Sequence, residues 1–420
     1  MGKHIWNYYL LFAMFLLVEM NPICKYYGER ETDVVCSPGD SDYILKRGLV
    51  SDRNKTTGVT LRGCRISEVD LEAFENLFNL KYIDLSHNNI SDLKLGVLDG
   101  TPQVTYLNLS YNLLSEFPLG LFDQLPNLEV MDLKGNRIGE LELGVFDPLK
   151  KLRHLDLSSN HLEGKSINLY LFDQTPHITF IDFSRNNMDD APDNLLQAFQ
   201  ALELLNLDKC LLNKVPRFAT SRNLKTIKHL ILSSNNISSL ENDTFLNLDS
   251  IEILDLSYNK LQYLHGDVFK PMKRIKIIEL RHNIIQHIPD DLFLNMRSIG
   301  NIDLSHNLIA SVPVNAFRGT SLKNLNLSDN RFTYLQDNFC LELKNSGVHL
   351  KKFYFNQNPW QCACLVPLLN EVKKYNIGYN SVHYDGKHPI CVTTEDAICN
   401  RHDSFNSIYT DLYDQIVALS

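Results

Sequence analysis

The stretch LKYIDLSHNNI, Leu80–Ile90, has near-copies along the chain: VTYLNLSYNLL at 104–114, LRHLDLSSNHL at 152–162, IEILDLSYNKL at 251–261 and IGNIDLSHNLI at 299–309. Within it Leu80, Ile83 and Leu85 alternate with Tyr82 and Asp84, the period-2 pattern of a short strand with one buried face. Asn88 follows at the point where the chain must turn, and its amide can satisfy turn backbone groups that no neighbouring strand reaches. Aligning on that asparagine gives a ladder of Cys64, Asn88, Asn112, Asn136, Asn160, Asn186, Cys210, Asn235, Asn259, Asn283, Asn307, Asn330 and Asn358, with most steps 24 residues long. Repetition of this kind predicts one continuous solenoid, although 420 residues would ordinarily divide into two or three domains.

Ten residues beyond most ladder positions a phenylalanine recurs at Phe74, Phe122, Phe146, Phe245, Phe269, Phe293 and Phe317, with Phe339 one residue early. That column predicts a buried aromatic spine opposite the strands. Between Asn160 and Asn235 the steps become 26, 24 and 25 and the phenylalanine matches weaken. Altered curvature or a small protruding loop around Gly164–Asn168 is the expected reason.

This spacing and pattern resemble the leucine-rich repeat, and NPWQCACLVPLL at Asn358–Leu369 with Cys391 and Cys399 resembles the cysteine-rich C-terminal cap of extracellular leucine-rich repeat proteins. The resemblance extends to Toll-type receptor ectodomains and secreted invertebrate leucine-rich repeat proteins. It implies an α/β solenoid: a horseshoe with parallel β-strands on the concave face, loop, 3-10 and short helix on the convex side, and disulfide-capped ends. The resulting organisation is a signal peptide at 1–20, an N-terminal cap at 21–55, repeats at 56–357, a cap at 358–400 and a short tail at 401–420, either a helix or a frayed end.

Residues 1–20 carry Lys3 and His4, an apolar run from Tyr8 to Val18, then Glu19, a signal-peptide pattern with no clear cleavage site. Export as a secreted, extracellular protein is expected, with anchoring by an uncleaved N-terminal segment as the remote alternative. No later segment reaches the ~20 apolar residues of a spanning helix, so stable membrane insertion is not expected. A formal charge of −9 argues against nucleic acid or anionic lipid as partner.

Nine cysteines sort by position. Cys64 and Cys210 replace ladder asparagines and are expected as buried thiols. Cys24 and Cys36 flank the start of the repeats and are expected to close a capping loop. The resemblance implies Cys362 with Cys391 and Cys364 with Cys399, and Trp360 packed under the last repeat. Cys340 is left over, either a buried thiol beside Phe339 or an intermolecular disulfide to a partner.

Candidate chemistry is sparse. EGKS at Glu163–Ser166 lacks the leading glycine of a phosphate-binding loop, and there is no nucleophile elbow, HExxH or zinc-spaced cluster. His282 and His306 fall in one column of neighbouring repeats, where they could share a metal or sense pH, but their frame is ordinary repeat sequence and reads as solvated surface. The expectation is no enzyme, no cofactor and no metal.

Function should lie in the outward strand positions. One column reads Asp84, Asn108, Asp132, Asp156, Asp182, Asn206, Ile231, Asp255, Glu279, Asp303, Asn326, Tyr354, an acidic stripe that would attract a basic ligand. The other contains Phe180, Leu204, His229, Ile253 and Ile277 in succession, an outward apolar run that with Ile231 reads as an interface. The candidate ligand-binding set is therefore Phe180, Leu204, His229, Ile231, Ile253 and Ile277 with Asp182, Asp255 and Glu279. Sequons begin at Asn54, Asn89, Asn108, Asn236, Asn242 and Asn326, and glycans on Asn108 and Asn326 would shield the ends of this face and leave Asp132–Asp303 open. The function expected is recognition of a protein ligand or receptor partner, immune-related or developmental, or of a microbial glycan. An extracellular-matrix or adhesion scaffold is the alternative.

Overall fold

The computed structural model describes residues 23–28, 32–39, 41–48, 54–380, 388–393 and 398–419. The expected signal segment, 1–20, lies outside them. Among the described residues no helix is long and apolar enough to cross a membrane. The chain forms a parallel-strand solenoid of about 13 turns with few helices, in two units, Met1–Ile178 and Thr179–Ser420.

Each turn contributes a three-residue strand. In the first unit the strands run from Gly58–Thr60 through Tyr82–Asp84, Tyr106–Asn108 and Val130–Asp132 to His154–Asp156, every neighbouring pair parallel. In the second they run from Phe180–Asp182 to Lys352–Tyr354 in the same parallel order. The middle residue of each strand, such as Leu107, Leu205 or Leu254, is fully buried, as the alternation requires.

The ladder asparagines perform the role their position implies. Asn88 donates through Nδ2 to the Leu85 carbonyl of its own repeat and the Leu61 carbonyl of the preceding one, both at 2.8 Å, while its Oδ1 accepts from Ile66 N–H at 3.0 Å. Asn259 repeats the arrangement with Leu256 at 3.1 Å, Leu232 at 2.9 Å and Ile237 N–H at 3.0 Å. Where cysteine replaces asparagine, Cys210 Sγ still reaches the Phe183 carbonyl at 3.2 Å. Behind the strands the phenylalanines stack: Phe245, Phe269, Phe293 and Phe317 follow one another at centroid distances of 6.2, 6.1 and 5.9 Å.

The irregular stretch departs from expectation. The spine does not lapse there, because Phe172, Phe199 and Phe218 are fully buried and Phe172 stacks on Phe146 at 5.8 Å. These residues stand 12, 13 and 8 residues after their ladder positions, so a fixed ten-residue offset misses them. Nor does Gly164–Asn168 protrude as a simple loop. Gly164–Ser166 is a 3-10 turn whose Gly164 and following Ile167 are both buried.

The ends close as stacked parallel strands require, since a terminal repeat would otherwise leave its core open. At the start, Ile23–Tyr27 and Asp33–Ser37 form an antiparallel hairpin joined by Cys24–Cys36, and the second of these strands pairs in parallel with Gly58–Thr60. The ladder thus begins inside the segment expected to be only a cap. A second small sheet, Tyr43–Leu45 with Ile66–Val69, was not legible in the sequence.

Among the described residues the far end holds three α-helices: α1 (Phe339–Asn345), α2 (Cys362–Lys374) and α3 (Asn406–Leu419). Cys362 bonds Cys391 and Cys364 bonds Cys399, the pairs implied by the resemblance. Trp360 is buried against Phe332 and gives its indole N–H to the Phe355 carbonyl at 2.7 Å. The tail is a docked helix rather than a frayed end: Tyr409 and Tyr413 are buried with Val392, and Arg331 meets Asp414 at 2.6 Å.

Cys64, Cys210 and Cys340 are free and buried. Cys340 is 3% exposed on α1, and burial, then the neighbouring Glu371, pushes its thiol well above the ordinary range. This favours the buried thiol over a disulfide to a partner, which would require α1 to lift from α2. Two outcomes are expected. Asn259→Ala strands the buried Ile237 N–H and leaves the Leu232 and Leu256 carbonyls one amide donor each, from Asn235 and Asn283; it should lower stability by about 1–3 kcal/mol in chemical denaturation, and an unchanged stability would show that water replaces the amide. The native chain should resist iodoacetamide and take up three labels only once unfolded; ready labelling of the native chain, or a dimer on non-reducing gels, would reverse the reading of Cys340.

Candidate functional site

In the second unit the register places Phe180 beside Leu204, Leu204 beside His229, His229 beside Ile253 and Ile253 beside Ile277. All five side chains are half-buried. Ile231 stands beside Asn206 and Asp255 in the adjoining column. The nine residues singled out in the sequence therefore share one sheet face. Asp182, Asp255 and Glu279 occupy its second column and the apolar run its first.

The acidic column has a structural role of its own. Its aspartates are first of all turn devices: Asp182 Oδ1 accepts from Ser184 N–H at 2.7 Å, Asp255 Oδ1 from Ser257 N–H at 2.9 Å and Asp303 Oδ1 from Ser305 N–H at 2.8 Å. Asp84, Asp132 and Asp156 of the first unit do the same at 2.9, 3.0 and 2.8 Å. A short side chain that caps the backbone two residues on explains why only Asp and Asn recur here. Asn206 and Asn326 substitute for Asp with bonds of 3.0 and 3.1 Å.

Ile231, Glu279 and, on the last strand, Tyr354 break the rule. Glu279 lies between Asp255 and Asp303 on the neighbouring strands. Burial first, then those two carboxylates, push it up to about 7 against the pull of Arg281. In the first unit Asp132 is pushed up to about 6 by burial, opposed by the Lys134 N–H and reinforced by Asp156.

A third outward column was missed. The residue before each ladder asparagine has left-handed backbone, with φ between 53° and 58° at His87, Tyr111, Ser159, Arg185, Lys209, Ser234, Tyr258, His282, His306, Asp329 and Gln357. This shared conformation lines up the side chains of successive repeats. His282 stacks on His306 at 3.9 Å and Tyr258 on His282 at 4.2 Å, with Arg281 5.4 Å from the Tyr258 ring. His306 Nε2 lies 3.6 Å from Asp329 Oδ2. In the first unit His87 and Tyr111 stack in this column at 4.4 Å, and Tyr82 and Tyr106 stack at 4.5 Å in the first strand column. The dipeptides HN and YN carried the signal, but it reads as ordinary repeat sequence unless the turn conformation is known. His282 and His306 are thus a stacked pair and not two separately solvated rings; His282 is held below its usual range by burial, then by His306 and Arg281. Among the described residues no group of three or more His, Cys, Asp and Glu side chains is arranged to hold a metal ion.

Of the sequon asparagines, Asn54, Asn89 and Asn242 are exposed and Asn236 is half-buried. Asn108 is nearly buried, its Oδ1 held by Ser110 at 2.9 Å from N and 2.7 Å from Oγ. Asn326 gives Nδ2, the atom a glycan would occupy, to Asp303 at 3.0 Å. Both have turn duties that a shielding glycan would have to accommodate. A cavity of about 470 Å³ between Gly266–Lys273 and Asp291–Arg297 lies on return turns away from these columns.

The leucine rich repeat model matches residues 55–114, 102–162, 225–283 and 273–332. The unmatched 163–224 is the stretch of irregular spacing and carries Phe180 and Leu204. No curated protein matches the chain. Among solved structures, the leucine-rich repeat domain of APL1B is 23% identical, with a TM-score of 0.60 over 80% of this chain and 93% of that one. The Toll–Spatzle complex of Drosophila gives 19%, 0.65, 86% and 50%, and the LRIM1/APL1C complex 21%, 0.56, 87% and 63%. Those likenesses concern the fold, and the matched segments cover more than half of the sequence with asparagine ladder, strand register and spine all in place. The chain belongs to the leucine-rich repeat family.

Proposed function

We propose that the protein is a secreted, non-enzymatic recognition protein that engages a protein ligand through the strand face of the Thr179–Ser420 unit. The observation that carries this reading is the in-register run Phe180–Leu204–His229–Ile253–Ile277, half open to solvent on five adjacent strands. Apolar side chains on a rigid, backbone-bonded face suit the centre of a protein interface, with Asp255, Glu279 and Asp303 at its rim. Three disulfides at the chain's ends fit an oxidising, extracellular setting. The matched family is a repeat family with no reaction attached, and the Toll–Spatzle and LRIM1/APL1C structures are complexes.

Wild-type protein should capture a partner from extracellular fluid that Leu204→Ser/Ile253→Ser/Ile277→Ser does not, with both forms showing the same folded circular dichroism; identical capture by the two would discard the strand face as the site. The ligand's contribution beside Glu279 should be cationic. Affinity for such a ligand should therefore rise as pH passes upward through about 7, as Glu279 loses its proton, and Glu279→Gln should flatten the profile.

Stability runs the other way. Below the ordinary carboxyl range Glu279 is neutral folded or unfolded, and between 4.5 and about 7 the folded chain keeps a proton that the unfolded chain releases, so its contribution falls as pH rises. Glu279→Gln should match wild type near pH 4 and melt about 1–3 °C higher near pH 8. Equal melting at both pH values would show that Glu279 titrates normally.

A further inference from the structure

In the first unit four leucines open successive return turns and remain half exposed: Leu71 at 50%, Leu95 at 58%, Leu119 at 55% and Leu143 at 51%. The turn glycines that follow three of them, Gly96, Gly120 and Gly144, all have φ of 90–93°. A methyl group added there would lie 3.9 Å from Leu71 Cδ2, 3.4 Å from Leu95 Cδ1 and 3.6 Å from Leu119 Cδ1. Leu71, Leu95 and Leu119 therefore each lean over the glycine of the next repeat, and Leu119 reaches the glycine beside Leu143, so the four make one apolar ridge. The repeat's own packing does not demand it. Three residues before the spine phenylalanines Phe245, Phe269 and Phe293 of the second unit, the same position is Asn242, Gly266 and Asp290.

The ridge is bordered by carboxylates. Asp99, Asp123 and Asp147 lie 3.6, 3.5 and 3.7 Å from the same three glycine positions. Beside it a cavity of about 320 Å³ is lined by Asp92, Glu116, Glu140 and Glu142 together with apolar residues including Phe117, and by no cation. None of these seven carboxylates forms an ion pair among the described residues, and Lys94, in the same run of turns, is held by Glu68. Exposed leucines in register seek apolar cover, and unneutralised carboxylates at their edge seek cations.

We propose that this ridge is a docking surface for a cationic amphipathic segment of a partner protein, its apolar side chains on Leu71, Leu95, Leu119 and Leu143 and its Lys or Arg side chains against the flanking carboxylates. Nucleic acid and anionic lipid carry the wrong charge. A second copy laid ridge to ridge would bring seven more carboxylates against the first seven. At ~4.8 Å or more per repeat the ridge is at least ~15 Å long, which about ten residues of helix would cover. The surface lies on return turns and not on the strand face, so it stands or falls separately from the proposed function.

The test uses the whole chain with a labelled helical Lys/Leu peptide of about 14 residues and an equally charged peptide in which Ser replaces Leu, at physiological salt. The Leu peptide should bind about tenfold tighter than the Ser peptide, and Leu95→Ser/Leu119→Ser should erase that preference. Glu116→Gln/Glu140→Gln, which alters only exposed side chains, should weaken binding and reduce its salt dependence, while Ile253→Ser/Ile277→Ser should leave it unchanged. Equal affinity for both peptides would reduce the effect to plain charge attraction and overturn the proposal. So would undiminished binding by either ridge variant, Leu95-dependent binding to phosphatidylserine vesicles, or a dimer in sedimentation that the leucine variant dissolves.

Discussion

The amide of the ladder asparagine couples each repeat to the one before it. A three-residue strand followed by a tight turn leaves carbonyls and N–H groups in a buried place where no strand can pair them, and leaving such groups unpaired costs more than forming an ordinary hydrogen bond gains. Asn88 and Asn259 each bind a carbonyl of their own repeat and both a carbonyl and an N–H of the previous repeat. The left-handed residue just before the asparagine bends the chain so that the amide points inward. The same few backbone groups must be met each time, and this keeps the repeat close to 24 residues even where the return segment drifts.

With the interior so constrained, the outward columns differ in how free they are. The Asp/Asn column is committed to capping turns, which accounts for its regular composition without any ligand. The left-handed column stacks rings from repeat to repeat and stiffens the face. Only the first strand column carries no turn duty, and there the second unit places Phe180, Leu204, His229, Ile253 and Ile277. Ile231 and Glu279 give up turn caps in the middle of the same patch. Residues that abandon a structural duty beside an exposed apolar run are what a recognition surface would leave in a repeat sequence.

The two ends are closed by different means. A disulfide-linked hairpin extends the strand ladder at the start, whereas the C-terminal end uses two disulfides, the buried Trp360 and a docked helix bearing Tyr409 and Tyr413. Each removes a row of unpaired strand groups or an open core layer from water, the hazard of any open parallel stack.

Periodicity alone reveals the solenoid, the buried leucines, the asparagine role, the two thiols in ladder positions and the nine face residues, because each depends on spacing along one chain. Disulfide pairing at the C-terminal cap came from resemblance and the fold agrees with it. What spacing could not reveal depends on where side chains meet across repeats. Phe172, Phe199 and Phe218 rejoin the spine because packing fills the core whatever the loop length. The acidic stripe becomes a set of turn caps once its oxygens are seen on backbone N–H groups. His282 and His306 stack because their shared left-handed backbone sets them side by side, and the leucine ridge emerges because Leu71, Leu95 and Leu119 each lean on a glycine 25 residues away. A one-dimensional pattern assigns each residue to a face, and the register between neighbouring repeats decides which residues on that face touch.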